Sequence, residues 1–250
     1  MKTEWDYTNL AEAYLQRPDY APSAIAEMLR RSGVKPGDCA CDVGAGAAHL
    51  TLELAKFGLK VWAVEPNDAM RANGIKRTAE YPDVQWFEGV GEDTGMEAGK
   101  FSLVTFGSSF NVCDRLKALA ETSRILLPEG WFACMWNHRD LDDPLQQEIE
   151  AVIKKNIEGY NYGTRREDQT EVINQSGLFE QVDFVSGRVE HELDAENFIE
   201  GWKSHGTVYR QSPEVFEKII AEIRQVVEAL HQDKIVVPYT TRIWMARKKR

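Results

Sequence analysis

The sequence predicts an α/β fold built on a parallel sheet with helices on both faces. Three observations carry that prediction. Short, nearly all-apolar runs alternate with segments of helical spacing through the first 150 residues. A glycine-bearing loop, Gly44-Ala45-Gly46, follows the first run and leads into a helix. An acid, Glu65, closes the second run. In sheets of this kind ligands bind beyond the carboxyl ends of the strands, so the residues just after each strand are where a site is expected.

Taken in order, Ala21 to Arg31 has helical apolar spacing, which Ser32-Gly33-Val34-Lys35-Pro36-Gly37-Asp38 breaks. Cys39 to Val43 is the first strand. Leu50 to Phe57 is a helix stopped by Gly58, and Lys60 to Val64 the second strand. Asn67 to Thr78 is helical; Val84 to Glu88 and Phe101 to Phe106 are the third and fourth strands. Arg115 to Leu127 reads as a helix ended by Pro128-Glu129-Gly130, and Trp131 to Asn137 as the fifth strand. After Asp140 the pattern changes. Pro144 to Glu158, Arg166 to Ser176, Glu196 to Tyr209 and Ser212 to Leu230 are expected helices, with strands at Phe179 to Val185 and Tyr239 to Ala246. No repeat, low-complexity tract or linker interrupts the chain. Residues 1–250 are therefore expected to form a single domain, a core of about 21–140 plus the final strands. Segments 1–20, 141–178 and 192–232 would cover the sheet.

Composition narrows the function. The chain has 250 residues, 43% of them hydrophobic, ample for a packed core. Its 30 Lys+Arg against 40 Asp+Glu give a net charge of −10, which argues against a nonspecific nucleic-acid binder, whose affinity comes from cationic excess. No apolar run approaches the roughly 20 residues needed to span a bilayer. Met1-Lys2-Thr3-Glu4-Trp5-Asp6 lacks the apolar core of a signal peptide. The expectation is a cytoplasmic monomer or homodimer with no membrane or nucleic-acid partner. Cys39, Cys41, Cys113 and Cys134 form no Cys-x-x-Cys pair and have no histidine at metal-ligand spacing, so they read as small, reduced, buried hydrophobes and no metal is expected. Arg247-Lys248-Lys249-Arg250 reads as a solvated chain end.

The chemistry concentrates around the loop Asp42-Val43-Gly44-Ala45-Gly46-Ala47-Ala48. Glycines there permit a tight turn and close approach of backbone to a ligand at a helix N-terminus. Glu65 stands nineteen residues beyond Gly46, where a carboxylate can accept both hydroxyl hydrogens of a ribose. Two cofactor classes use this arrangement. A nicotinamide dinucleotide site wants Gly-x-Gly-x-x-Gly, and here the third glycine would fall on His49. Asp42 would repel a pyrophosphate, yet it could hold the ammonium of a methionine moiety. The local chemistry favours S-adenosylmethionine (SAM), which has an ammonium and a ribose and no phosphate; an NAD-linked oxidoreductase is the rival.

These residues resemble the class I SAM-dependent methyltransferases, in particular a bacterial group acting mainly on small molecules. The similarity runs through Tyr14-Leu15-Gln16-Arg17-Pro18-Asp19-Tyr20, Asp42-Val43-Gly44-Ala45-Gly46 and Val64-Glu65-Pro66-Asn67. It continues through Gly91-Glu92-Asp93-Thr94-Gly95, Arg124-Ile125-Leu126-Leu127-Pro128-Glu129-Gly130 and Trp136-Asn137-His138-Arg139-Asp140 to Pro238-Tyr239-Thr240-Thr241. It is firm over the first 140 residues and loose between 141 and 232. The resemblance implies a Rossmann-like seven-stranded sheet with the last strand antiparallel and helical insertions over the active site. It implies that Asp42, Gly44, Ala45 and Gly46 hold the methionine part of SAM, and that Glu65, beside Pro66, binds the ribose. Met70 would pack near the adenine, Gly91, Glu92 and Asp93 would meet its edge, and Ser108 would lie near the sulfonium. Tyr14, Arg17 and Tyr20 become candidates for closing the site, with Arg17 able to pair with the cofactor carboxylate.

Two departures stand out. Ala48 occupies a position that is glycine in many members, a minor change. After the fourth strand the group commonly reads Ala-Phe-His-Trp-Phe, whereas this chain has Ser109-Phe110-Asn111-Val112-Cys113. Asn111 can orient a nucleophile but cannot take a proton at neutral pH, which keeps open a non-catalytic SAM-binding role. A carboxylate or amine acceptor needs positioning and desolvation more than a base, whereas a phenol or alcohol must be deprotonated. His138, after the fifth strand, and His205, in an expected covering helix, are the candidate bases; His49 reads as structural. Arg139, Arg165 and Arg166 could recognise a carboxylate or phosphate on a small-molecule acceptor. Trp5 and Trp202 fall in segments that could reach a flat substrate, while Trp62, Trp86, Trp131, Trp136 and Trp244 read as core.

Overall fold

A computed structural model of the chain describes Thr8 and residues 11–250; Trp5 lies outside the described residues. Seven strands form one sheet: β1 Cys39–Val43, β2 Lys60–Val64, β3 Val84–Phe87, β4 Phe101–Gly107, β5 Leu126–Arg139, β6 Asp183–Leu193 and β7 Ile235–Arg247. Their spatial order is β3-β2-β1-β4-β5-β7-β6. The β1–β2, β1–β4, β2–β3 and β4–β5 pairs are parallel, and β7 runs antiparallel to both β5 and β6. The last strand is thus the antiparallel one, as expected.

Among the described residues, ten α-helices accompany the sheet: α1 Ala11–Tyr14, α2 Pro22–Ser32, α3 His49–Lys56, α4 Asp68–Arg77, α5 Arg115–Ile125, α6 Pro144–Asn156, α7 Thr170–Gln175, α8 Ala195–Lys203, α9 Gly206–Gln211 and α10 Phe216–Ala229. Side chains that alternate along the strands feed two opposite cores. Val104 and Phe106 of β4 and Phe132, Cys134 and Trp136 of β5 fill one core with Phe110 and Trp244. Leu103, Ala133 and Met135 face the other, against Ala24, Met28, Leu50 and Leu54. A third cluster, between α6, α8 and α10, gives the covering helices their own interior, with Ile153, Phe198, Ile219 and Ile223 at its centre.

Several elements depart from the sequence reading. The helix expected through Leu127 ends at Ile125, and β5 begins at Leu126. The register along β4 steps from Phe101↔Leu126 to Leu103↔Trp131, so the residues around Pro128-Glu129-Gly130 bulge out of the ladder, with Glu129 at φ 63°. The turn signal was genuine, but the strand resumes beyond it. The helix expected at 166–176 is a 3-10 turn at Gly163–Arg166 followed by the shorter α7. Glu196 to Tyr209 divides into α8 and α9, and Ser212 to Leu230 into a short 3-10 turn and α10. The strand expected at 179–185 starts at Asp183 and continues to Leu193, while Phe179 makes only an isolated bridge to Lys248. The last four residues are tied down: Arg247 and Arg250 pair with Glu180 and Glu129, and Lys248 and Lys249 donate to the carbonyls of Leu126 and Gly177. All four cysteines are free; Cys41 and Cys134 are buried, Cys39 and Cys113 partly so. Trp136 and Trp244 are core, whereas Trp62, Trp86 and Trp131 are only part-buried. No helix among the described residues is long and apolar enough to cross a membrane.

Candidate functional site

Two cavities adjoin at the carboxyl ends of β1 and β4. They share Tyr14, Gly44, Gly46, Gly107 and Ser108 on their walls. The larger, about 390 Å³, lies on the β2–β3 side against Glu65, Pro66, Met70, Gly91, Glu92 and Cys113. The smaller, about 110 Å³, lies under the covering segments, against Arg17, Tyr20, Asp42, Ala45, Asn137, Arg139, Arg165, Trp202 and His205.

The glycine loop is built for close approach. Gly44 and Gly46 take φ of 67° and 55°, a region costly for residues with a Cβ. A Cβ on Gly44 would stand 2.4 Å from the Cβ of Ser109, and one on Gly46 3.1 Å from the Met70 methyl. Glu65, 7% exposed, ties the loop to the end of β2: it accepts from the Gly46 N–H (2.9 Å) and the Asn67 N–H (2.9 Å). Burial raises its pKa, opposed by those two backbone donors. Asp42 is 1% exposed and accepts from the hydroxyls of Thr51 (2.7 Å) and Thr105 (2.9 Å). Burial pushes its carboxyl up to about 6, with the hydroxyls pulling the other way. Ala48 also takes a positive φ, 70°, at the start of α3, so the exchange of glycine for alanine there strains the backbone.

Ser108 sits where the cavities meet, with φ 60° and its hydroxyl 3.1 Å from that of Tyr20. Gly107 allows this approach, since a Cβ there would lie 2.9 Å from the Tyr20 oxygen. The N-terminal segment closes over the site through several bonds. Arg17 donates to the Ser204 carbonyl (2.7 Å), the Ser204 hydroxyl (3.1 Å) and the Tyr14 hydroxyl (3.1 Å). The His49 ring bonds Asp19 (3.0 Å) and the Tyr14 carbonyl (3.2 Å), and the Asn137 amide donates to the carbonyls of Pro18 and Asp19. His49 is structural in this sense, although it also borders the smaller cavity.

Strand parity sorts the last residues of β5. Asn137 and Arg139 face the smaller cavity, while His138, in phase with Trp136, faces the opposite side. His138 opens instead to a separate surface depression and donates Nε2–H to the Arg165 carbonyl (2.9 Å). Burial, with Arg166, Arg165 and Arg242 nearby, holds its pKa down to about 3. The expectation that His138 acts as a base is corrected on both counts. Asn111 is likewise withdrawn from the site: its side-chain carbonyl accepts from the Trp136 indole N–H (2.8 Å), and it borders neither cavity. Asp93 is exposed and makes a two-way backbone bridge with Val90; Val90, Gly91 and Glu92 of that turn border the larger cavity and Asp93 does not. Arg166 donates to the Arg139 carbonyl and lies over the Tyr162 ring, outside the smaller cavity.

His205 does border the smaller cavity. It stacks on Trp202 at 5.1 Å and 15°, and its Nδ1 is covered without a hydrogen-bond partner. Burial, then Arg165, Arg139 and Arg17, hold it well below an ordinary histidine pKa. Asn137, Leu193, Phe198 and Tyr239 complete walls that sequence reasoning had not assigned. Only strand parity could have found Asn137; the others come from segments brought over the sheet by tertiary packing.

Residues 41–134 match the model of the Methyltransferase domain family. Among curated proteins, an uncharacterized methyltransferase of Mycobacterium tuberculosis is 31% identical over 124 residues, 50% of this chain and 48% of that protein. The chain thus spans about half the length of the first of these relatives. The demethylmenaquinone methyltransferase of Staphylococcus aureus is 25% identical over 74% of this chain and 82% of its own length. Among solved structures, a putative methyltransferase from an antibiotic biosynthesis pathway of Anabaena variabilis superposes with a TM-score of 0.62 at 17% identity, covering 92% of this chain and 98% of that one. Phosphoethanolamine N-methyltransferase 2 of Haemonchus contortus, in complex with SAM, gives 0.56 at 16% identity, covering 100% and 59%. At these identities the structural likeness speaks for the fold.

Proposed function

We propose that this chain, whose residues 41–134 match the methyltransferase domain family, is a class I SAM-dependent methyltransferase that moves a methyl group from SAM to an oxygen or nitrogen atom of a small-molecule acceptor. The observation that carries this reading is the pair of adjoining cavities, which meet at Ser108 and Gly44 and differ in character. One is walled by the glycine loop and an acid suited to a ribose. The other is closed by covering helices.

The residues present fit SAM. Glu65 borders the larger cavity, Gly46 leaves room for close backbone approach, and Asp42, at the glycine-loop end of the smaller cavity, is a buried acid held by two hydroxyls and without a cationic partner among the described residues, where an ammonium would fit. When bound, SAM supplies a methyl on a sulfonium, a leaving group that departs as a neutral thioether. That methyl carbon would be open to a lone pair of the acceptor, with the carbon–sulfur electron pair returning to sulfur. Holding the two partners in line is the main task of such a site. Ser108 and Tyr20 mark the boundary that the methyl must cross. Tyr20 stays protonated, because burial raises its pKa further above the ordinary value. The covering helices and the Tyr14–Tyr20 segment exclude water from the acceptor side. Among the described residues, His205 is the sequence-predicted base that borders the smaller cavity, yet burial and the three arginines hold its pKa well below that of an ordinary histidine, which favours an acceptor atom that needs no deprotonation.

The test is calorimetric titration with SAM and with NAD, followed by detection of S-adenosylhomocysteine formed in the presence of an acceptor library. SAM binding in the micromolar range with product formed for at least one acceptor is the expected outcome. Binding of NAD in preference to SAM, or SAM binding with no product from any acceptor, would sink it.

A further inference from the structure

The smaller cavity is cationic inside an acidic protein. Arg17, Arg139 and Arg165 border it, and its one bordering carboxylate, Asp42, is taken up by two threonine hydroxyls. The three guanidiniums are not equivalent. Arg17 is spent on Ser204 and Tyr14. Arg139 is 8% exposed; its Nη1 donates to Gln146, its plane lies 4.1 Å from the Trp202 ring centre, and its buried Nη2 has no hydrogen-bond partner. The carboxylate oxygen facing that Nη2, on Glu150, is 3.9 Å away, beyond hydrogen-bond reach, and Glu150 also faces Lys154 and the Tyr162 hydroxyl. Arg165 has a buried Nε without a partner and no salt bridge among the described residues. Burial, then Arg17 and Arg139, lower its pKa to about 10.

Buried, unpartnered guanidinium donors around one void are what an anion would complete, since the guanidinium fork matches carboxylate and phosphate oxygens. Resting on the methyltransferase reading, we propose that the acceptor carries an anionic group, a carboxylate or a phosphate, that docks between Arg165 and Arg139. Trp202, Phe198 and Leu193 pack the acceptor's apolar part, and its nucleophilic atom points toward Ser108. Arg166 has no share in this, because it does not border the smaller cavity.

The experiment uses the full chain saturated with S-adenosylhomocysteine and three probes of similar size: benzoate, phenyl phosphate and the neutral benzamide. Tryptophan fluorescence and calorimetry read the binding. At least one of the anions is expected to bind tenfold or more tightly than benzamide. Arg165→Met should bring that anion to the level of benzamide and leave the affinity for S-adenosylhomocysteine within twofold, which also reports that the variant is folded. The better of the two anions tells whether carboxylate or phosphate is the natural group. Equal binding of benzamide and both anions by the parent overturns the proposal, without recourse to any variant. So does the absence of anion binding to the loaded parent, or unchanged anion binding by Arg165→Met. Failure of the parent to bind S-adenosylhomocysteine at all overturns the methyltransferase reading instead.

Discussion

The two cavities share the glycine loop and Ser108 but differ in their outer walls, and those outer walls handle their polar groups in opposite ways. The acids are satisfied by the protein itself: Glu65, on the larger cavity, by two backbone N–H groups, and Asp42, at the glycine-loop end of the smaller, by two hydroxyls. On the side of the covering helices, Arg139 Nη2, Arg165 Nε and His205 Nδ1 are buried without partners. The first is a preformed cradle held rigid by hydrogen bonds that a ligand must share or replace. The second stays electrostatically incomplete until a ligand brings the missing acceptor. A cofactor common to many enzymes suits the first arrangement, and a substrate particular to one enzyme suits the second.

The change expected to break the comparison most severely is Gly44→Ala, because Gly44 borders both cavities. Its positive φ and the 2.4 Å approach to Ser109 leave no room for a Cβ. SAM affinity should fall by about 100-fold or more, with stability lowered by about 1–3 kcal/mol in a denaturant melt. Glu65→Ala confines the damage to one side: calorimetry should show a loss of about 10–100-fold for SAM, from two charge-assisted hydrogen bonds to the ribose, with anion binding in the smaller cavity intact.

Asp42 supplies a pH signature. Its folded pKa of about 6 lies above the ordinary value of 3.8, so between these values the native state binds more protons than the unfolded state. Stability of the ligand-free protein should therefore fall as pH rises through that window, by on the order of 2–3 kcal/mol in all. SAM, whose ammonium favours the ionised carboxylate, should bind more tightly across the same rise. Asp42→Asn should flatten both trends; a pH profile of SAM affinity identical to the parent's would remove Asp42 from the methionine site.

Smaller effects sharpen the boundary of the site. Asn111→Ala should cost about 1–3 kcal/mol by orphaning the Trp136 indole N–H, while SAM affinity stays within twofold. Ala48→Gly should be the mildest: relief of the left-handed alanine is worth about 1–2 kcal/mol, largely offset by the entropy of the unfolded glycine, so a shift in melting temperature near zero or slightly upward is expected.

The glycine-loop half was legible in the sequence because its signals are local. β1 and β2 fall on the predicted residues, since each is a short apolar run flanked by turn chemistry, and Glu65 follows β2 by chain order alone. The other half is assembled from residues far apart in sequence. β6 was placed too early because its later residues alternate exposed and half-buried, with Arg188, Glu190 and Glu192 outward, as at a sheet edge. His138 and Arg139 are neighbours in sequence, and strand parity sends them to opposite faces, which a ranking by position after the strand could not foresee. Arg165, Trp202 and His205 meet only because α8, α9 and the Gly163–Arg166 turn fold back over the sheet. Seven strands, a mixed sheet and the glycine site could be read; the acceptor side could be read only as a set of possible members.

β7 lies between β5 and β6, although it follows both in the chain. As the polypeptide leaves the ribosome, β1 to β5 can pair and form the glycine cradle while β6 has no neighbour to bond. The excursion that carries α8 to α10 must then be made before residues 235–247 arrive to join the two strands. In chain order, the residues of the cofactor cradle thus precede those of the acceptor pocket, and β6 has to wait for a partner distant in sequence. A nascent chain stalled before β7 would expose one flank of β5 and all of β6, a state in which the edge of the sheet is open to pairing with another chain.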